Sequence, residues 1–247
     1  RRGERGHVVE TCRRLLLEAA HHDGDEARIQ RRAQLEELCA RAGVPVATPA
    51  SIDSLCCGTP WSSKGFERGY ESMRSRVQAV VREATRDGEL PIVCDASSCS
   101  EGLQSLLAGA ETAHPLRVID AVDFIAEAVL PSMPRLEDDA RIASITVHPT
   151  CSSTRSGATS SLLAIASAIA HTVNVPADWG CCGFAGDRGM LHPELTASAT
   201  AVQAEQVRRL DAEEHVSCNR ACELGMSRAT GRRYRGIIEV LADILRR

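Results

Sequence analysis

Apolar residues recur along this chain in two alternating patterns. Ile29, Ala33, Leu35, Leu38 and Ala42 fall mostly three or four positions apart, which predicts an amphipathic helix over 27–42, ended by Gly43. Met73, Val77, Val80 and Val81 predict another over 66–87, stopped at Gly88. Further helices are predicted over 100–109, 121–130, 160–171, 193–210 and 236–245. Residues 8–20 also read as helical, with Leu15, Leu16 and Ala19 facing inward. Between the helices lie short apolar runs bounded by turn residues, at 44–47, 91–94, 117–120, 142–147, 172–175 and 216–217. These predict buried strands. Strand and helix in alternation mean βαβ units, so the expected fold is α/β with short, largely parallel sheets. The order of parts repeats. Two pseudo-twofold-related halves are expected, 1–130 and 131–247, joined through Pro131-Ser132-Met133-Pro134 and Glu137-Asp138-Asp139.

Composition narrows the function classes. A chain of 247 residues with 43% hydrophobic residues can build a core, and 3% aromatic content makes that core aliphatic. A net charge of −4 and no concentrated basic surface speak against nucleic acid. The short cluster Arg232-Arg233-Tyr234-Arg235 reads as a solvated patch. No run of 18 apolar residues occurs, and Arg1-Arg2-Gly3-Glu4-Arg5 does not resemble a signal peptide. A cytoplasmic location is expected, with at most peripheral contact on the inner face of a membrane. In such a compartment the 11 cysteines point to metal or redox chemistry rather than disulfides.

The cysteines themselves repeat. Cys56-Cys57-Gly58 and Cys181-Cys182-Gly183 are vicinal pairs, each followed at nearly equal distance by a spaced pair, Cys94 with Cys99 and Cys218 with Cys222. Cys151 adds a fifth thiol to the second half, after the predicted strand 142–147 and His148-Pro149. Adjacent cysteines close a strained ring if oxidised to each other, so they read as paired thiolate ligands. Soft thiolate sets select iron–sulfur centres, zinc or copper(I). Zinc is the weaker reading for the second half, because its ligands are vicinal and number five. The glycine-rich run through Gly183 and Gly186 would let backbone amides approach sulfur closely. Arg188 either pairs with Asp187 to fix that loop or meets a carboxylate or a flavin-bearing partner. Cys39, on the apolar face of a helix, reads as a core residue, and so does Cys12. His148 is expected in a structural role or hydrogen-bonded beside the centre. His21-His22-Asp23 reads as a solvated helix end.

The spacing Cys151…Cys181-Cys182…Cys218…Cys222 resembles the Cys-Cys-Gly, or cysteine-rich, domain family. That family includes the cysteine-rich subunit of heterodisulfide reductase and the iron–sulfur subunits of glycolate oxidase and anaerobic glycerol-3-phosphate dehydrogenase. The runs 56–65, 95–99, 181–200 and 219–227 are most similar to the C-terminal part of FAD-linked D-lactate or D-2-hydroxyglutarate dehydrogenases. The resemblance implies a [4Fe–4S] cluster, cubane or non-cubane, on Cys151, Cys181, Cys182, Cys218 and Cys222. It implies a second or degenerate site, with zinc as one occupant, on Cys56, Cys57, Cys94 and Cys99. It also implies contact of Gly183, Gly186 and Arg188 with the cofactor. The partners would be an FAD-binding dehydrogenase domain or subunit and an electron acceptor such as quinone. This chain shows no glycine-rich FAD motif of its own. One departure is that the first half lacks the family's Pro-x-Cys ahead of its vicinal pair and offers only Cys12. The alternatives are a heterodisulfide-reductase-like thiol–disulfide redox subunit and a structural zinc-binding docking module.

Overall fold

A computed structural model describes residues 14–17, 25–186 and 188–246. Cys12, His21-His22-Asp23 and Asp187, each given a reading above, lie outside the described residues. Among the described residues, eight strands form two four-stranded parallel sheets. The first uses β1 (Arg14–Leu17), β2 (Val46–Ala47), β3 (Ile92–Cys94) and β4 (Val118–Asp120) in the order β2-β1-β3-β4. The second uses β5 (Ile142–Val147), β6 (Ala170–Asn174), β7 (Glu214–Ser217) and β8 (Tyr234–Gly236) in the order β6-β5-β7-β8. The two orders are identical once numbering restarts at β5. Leu16 pairs with Val93 as Thr146 pairs with His215, so the central strands match in partner as well as place. The α/β class and the pseudo-twofold repeat therefore hold.

Two strands depart from the sequence reading. The centre of the first sheet, β1, falls within 8–20, where a helix is expected. Arg-Leu-Leu-Leu is a short apolar run, and periodicity cannot separate a buried strand from a buried helix at that length. The edge strand β8 falls in the cluster read as a solvated patch. Tyr234 is buried, and Arg235 is mostly buried among Glu214, Glu239 and Asp243. Only Arg232 and Arg233 of that cluster face solvent.

The helices follow the predicted stripes with shifted ends. They are α1 (Asp25–Arg41), the single turn α2 (Thr59–Ser62), α3 (Glu67–Ala84), α4 (Ser97–Leu107) and α5 (Ala121–Phe124). The last of these runs on as a π-turn over Ile125–Val129. The second half adds α6 (Cys151–Ser156), α7 (Thr159–Ile169), α8 (Arg188–Leu191), α9 (Pro193–Leu210), α10 (Arg220–Thr230) and α11 (Ile237–Ile244). Single 3₁₀ turns at Leu130–Ser132 and Asp138–Ala140 connect the sheets. Among the described residues, no helix is long and apolar enough to cross a membrane.

One core joins the halves. Leu35, Leu38 and Cys39 of α1 pack in the same cluster as Ile237, Val240 and Leu241 of α11 and Leu162, Ile165 and Ile169 of α7. Cys39 is fully buried there, as its place on an apolar stripe predicts. Each fully buried Leu or Ile contributes about 1.5–3 kcal/mol, so this shared cluster ties one half to the other. A smaller cluster of Ile52, Leu55, Val77, Val81, Ile92, Leu103 and Leu106 fills the first half alone.

Candidate metal centre

Every cysteine of the repeated pattern sits at the carboxyl end of a strand or in the helix that follows it, apart from the vicinal pairs, which lie in loops. Cys94 ends β3 and Cys99 is the third residue of α4; Cys218 follows β7 and Cys222 is the third residue of α10. Cys151 opens α6, four residues past β5. A capping box on Thr150 and Ser153 fixes that start, with Ser153 N–H donating to Thr150 Oγ1 at 2.9 Å and Thr150 N–H to Ser153 Oγ at 3.0 Å. Asn219 caps α10 by accepting from Ala221 N–H at 3.3 Å. A parallel sheet gathers strand ends on one edge, which is why loops so distant in sequence meet.

In the second half, the sulfurs of Cys182 and Cys222 lie 3.1 Å apart. His148 joins them through a ring nitrogen, and the three ligand atoms fall within 4.8 Å of one another, all on buried residues. Hydrogen bonding from Cys222 pulls the Cys182 thiol down to about 5 against the cost of burial, with help from His148 and the amide of Phe184. The Cys222 thiol is pushed well up, first because it shares that proton and then by burial. Cys151 is raised to about 11 by burial and by a hydrogen bond with Cys181. Cys181 is the exposed member of the set.

Cys218 stands slightly apart. Burial raises its thiol to about 11, and its neighbours are hydroxyls: Ser97 Oγ donates to it at 3.4 Å, and Thr150 Oγ1 is 3.8 Å away. Ser97 belongs to the first half, so this thiol marks where the halves touch.

The first half repeats the arrangement. Cys57 accepts hydrogen bonds from Cys56 and Cys99, which draws its thiol strongly down and pushes theirs up. Burial raises Cys94, which sits close enough to Cys57 to feel its charge. Cys56, Cys57, Cys94 and Cys99 line one small cavity together with Ile52, Leu55, Val77 and Leu103. In both halves the second cysteine of the vicinal pair pairs with the helical one, Cys57 with Cys99 and Cys182 with Cys222.

Backbone amides serve the sulfurs in the same way twice. Gly58 and Thr59 N–H point at Cys56 and Cys57. Gly183 N–H donates to Cys181 Sγ at 3.4 Å, and Phe184 N–H to Cys182. Gly183 has a second constraint. Its φ is +67°, and a β-carbon there would meet Ala199 Cβ at 2.8 Å and the Leu195 carbonyl at 2.9 Å, so the loop lies directly on α9. Gly186 (φ +71°) has open space around it, and Arg188 starts α8 with its side chain exposed.

Three contributors escape the sequence reading. Gly102 and Gly225 each lie three residues past a helical cysteine, Cys99 or Cys222. A β-carbon on Gly102 would meet Thr59 Oγ1 at 2.1 Å and Cys57 Sγ at 3.3 Å; on Gly225 it would meet the Phe184 ring at 3.2 Å. Glycine inside a helix costs about 0.5–1 kcal/mol, and here it admits the vicinal-pair loop against the helix. The shared offset from cysteine is the signal that could have found them. The third is Gln203, whose Nε2 lies 2.7 Å from His148 Nδ1 in a fully buried pair. Nothing in its sequence neighbourhood marks it.

Fold and thiols together define a two-repeat, cysteine-rich α/β domain with a thiol cluster at the strand ends of each repeat. The chain belongs to the CCG family, the cysteine-rich domain, whose model matches residues 19–104 and 145–227 and so spans the nine clustered cysteines. No curated protein matches the chain. Among solved structures it is similar to a putative Asp/Glu racemase from Yersinia pestis, at 11% identity and a TM-score of 0.39, over 93% of this chain and 96% of that one.

Proposed function

We propose that the chain is an electron-relay module of a flavin-dependent D-2-hydroxyacid dehydrogenase, of the D-lactate or D-2-hydroxyglutarate type. Cys151, Cys181, Cys182, Cys218 and Cys222 hold a [4Fe–4S] cluster. Electrons come from an FAD-binding domain or subunit and leave to quinone or another carrier. The observation that carries this reading is the meeting of the sulfurs of Cys182, in a loop, and Cys222, in α10, at 3.1 Å across 40 positions of chain, with Cys151 and Cys181 hydrogen-bonded beside them. Bound iron–sulfur would supply one-electron chemistry. The chain's own part is to deliver thiolates, aim amides of Gly183 and Phe184 at their sulfurs, and keep water from Cys182 and Cys222 by burial. The exposed Cys181 marks the edge through which a partner would exchange electrons. The likeness of 56–65, 95–99, 181–200 and 219–227 to those dehydrogenases supports the choice of enzyme.

For the first half, zinc is the better occupant. Cys56, Cys57, Cys94 and Cys99 are four thiols around one small cavity, which suits a closed tetrahedral site.

Metal and acid-labile sulfide analysis of anaerobically purified chain tests both readings. Iron with equimolar sulfide and a broad visible absorption is expected, lost in Cys182→Ser and Cys222→Ser. Zinc alone would support a docking module instead. Quinone reduction by the loaded chain with a reduced flavoprotein tests the relay.

A further inference from the structure

The start of α4 lies between the two thiol sets. Cys94 and Cys99 of the first set flank Ser97, which is 1% exposed and has its Oγ 3.4 Å from Cys218 Sγ of the second. Thr150 Oγ1 stands farther from that sulfur, at 3.8 Å. A metal-bound Cys218 is a thiolate with no proton to give, so the Ser97 O–H turns to it. Asp120, which Ser97 also reaches, keeps its bonds from Ser100 and Val122. One turn further along α4, Glu101 accepts from Arg155 of α6 through both oxygens, at 3.1 and 2.5 Å. Cys151 opens α6, and the Arg155 charge acts on Cys151 and Cys181. This second link is exposed and weaker than the buried one.

The repeat shows what is peculiar to α4. Cys99 and Cys222 are each the third residue of a helix, so Ala96 corresponds to Asn219. Asn219 caps α10, whereas Ala96 gives α4 no side-chain cap. An alanine there leaves the helix start less firmly held. Cys94 and Cys99 sit on either side of that start, so fixing both would supply the hold that the cap does not.

We propose that the first half supplies positioning residues to the second metal site, Ser97 for Cys218 and Glu101 for Arg155. Filling the first site firms the start of α4 and thereby tightens metal binding at the second. The inference rests on both thiol sets binding metal, as proposed above, and on neither the relay nor the kind of metal. Linkage makes the effect mutual: the second site tightens the first by the same factor.

Cobalt(II) titration of the full chain under argon tests this, followed by thiolate charge-transfer absorption. Cys182→Ser identifies the first-site signal. Cys56→Ser with Cys57→Ser empties the first site while leaving α4 untouched. Second-site affinity is then expected to fall at least about fivefold. Ser97→Ala should weaken the second site comparably and move its band to longer wavelength, because sulfur loses a donor. Ser97→Thr should restore both. Glu101→Gln, at the surface, should give a smaller loss. With Ser97→Ala and Glu101→Gln in place, emptying the first site should cost nothing further. Circular dichroism checks the fold of each variant. A second site indifferent to the first overturns the proposal and leaves the metal sites standing. So does an unmoved band in Ser97→Ala, or a coupling that survives the loss of Ser97 and Glu101. Cobalt uptake in one half only, or in neither, overturns it together with the two-site reading.

Discussion

His148 sets the tone at the scale of single residues. With the Gln203 amide donating to Nδ1, the imidazole accepts there and keeps its proton on Nε2, the nitrogen left to face Cys182 and Cys222. In metal-loaded protein that N–H would stabilise negative charge on sulfur. With the proposed cluster bound, His148→Leu is expected to lower its midpoint potential, on the order of tens of millivolts, measured by redox titration with EPR detection. An unchanged potential would assign His148 to packing alone. Asp120 offers a test by pH. Burial raises its carboxyl above 3.8 in spite of three hydrogen bonds, so the folded chain holds this proton more tightly than the unfolded chain does. Its contribution to stability is full below 3.8 and fades as pH rises through the raised value. Asp120→Asn keeps an acceptor for Val122 N–H and has no charge to bury. Its Tm relative to the parent should therefore climb between about pH 4 and neutrality, in metal-free protein followed by thermal melting.

Elements show what the sequence could and could not disclose. The long helices α1, α3 and α9 were legible because about eighteen residues of stripe leave little ambiguity, and β5 because its six-residue apolar run stands out. The strands β1 and β8 were not. A strand of three or four residues gains its identity from neighbours: β1 from β2 and β3 on either side, β8 from the acidic groups that neutralise Arg235. The site was legible in its ligand set and illegible in its supports. Cysteine pairs repeat at a countable distance, whereas Gly102 and Ser97 reach the thiols, and Gln203 reaches His148, only through folding. Helix α10 invites a test at this scale. Its cap on Asn219 sets where Cys222 sits, within the first turn. Asn219→Ala should cost about 1 kcal/mol, read by denaturant unfolding, and should reduce metal loading at Cys222 by fraying that turn.

The molecule as a whole is two copies of one topology sharing one core. Leu38 of α1 is 1% exposed in a cluster built mainly from the second half. Leu38→Ala should cost about 2–5 kcal/mol, and the loss should appear equally in reporters placed in either half. Calorimetry of the parent should show a single transition. Two separate transitions would mean that the clusters unfold independently.

The contact of α1 with α11 also bears on how the chain is made. The apolar stripe of Leu35, Leu38 and Cys39 leaves the ribosome well before the helix that covers it, Ile237–Ile244. Through that interval the stripe stands open to water and to other nascent chains. Expression should thus depend on chaperones that shield it, and a stop codon placed just before Ile237 should send the product into inclusion bodies.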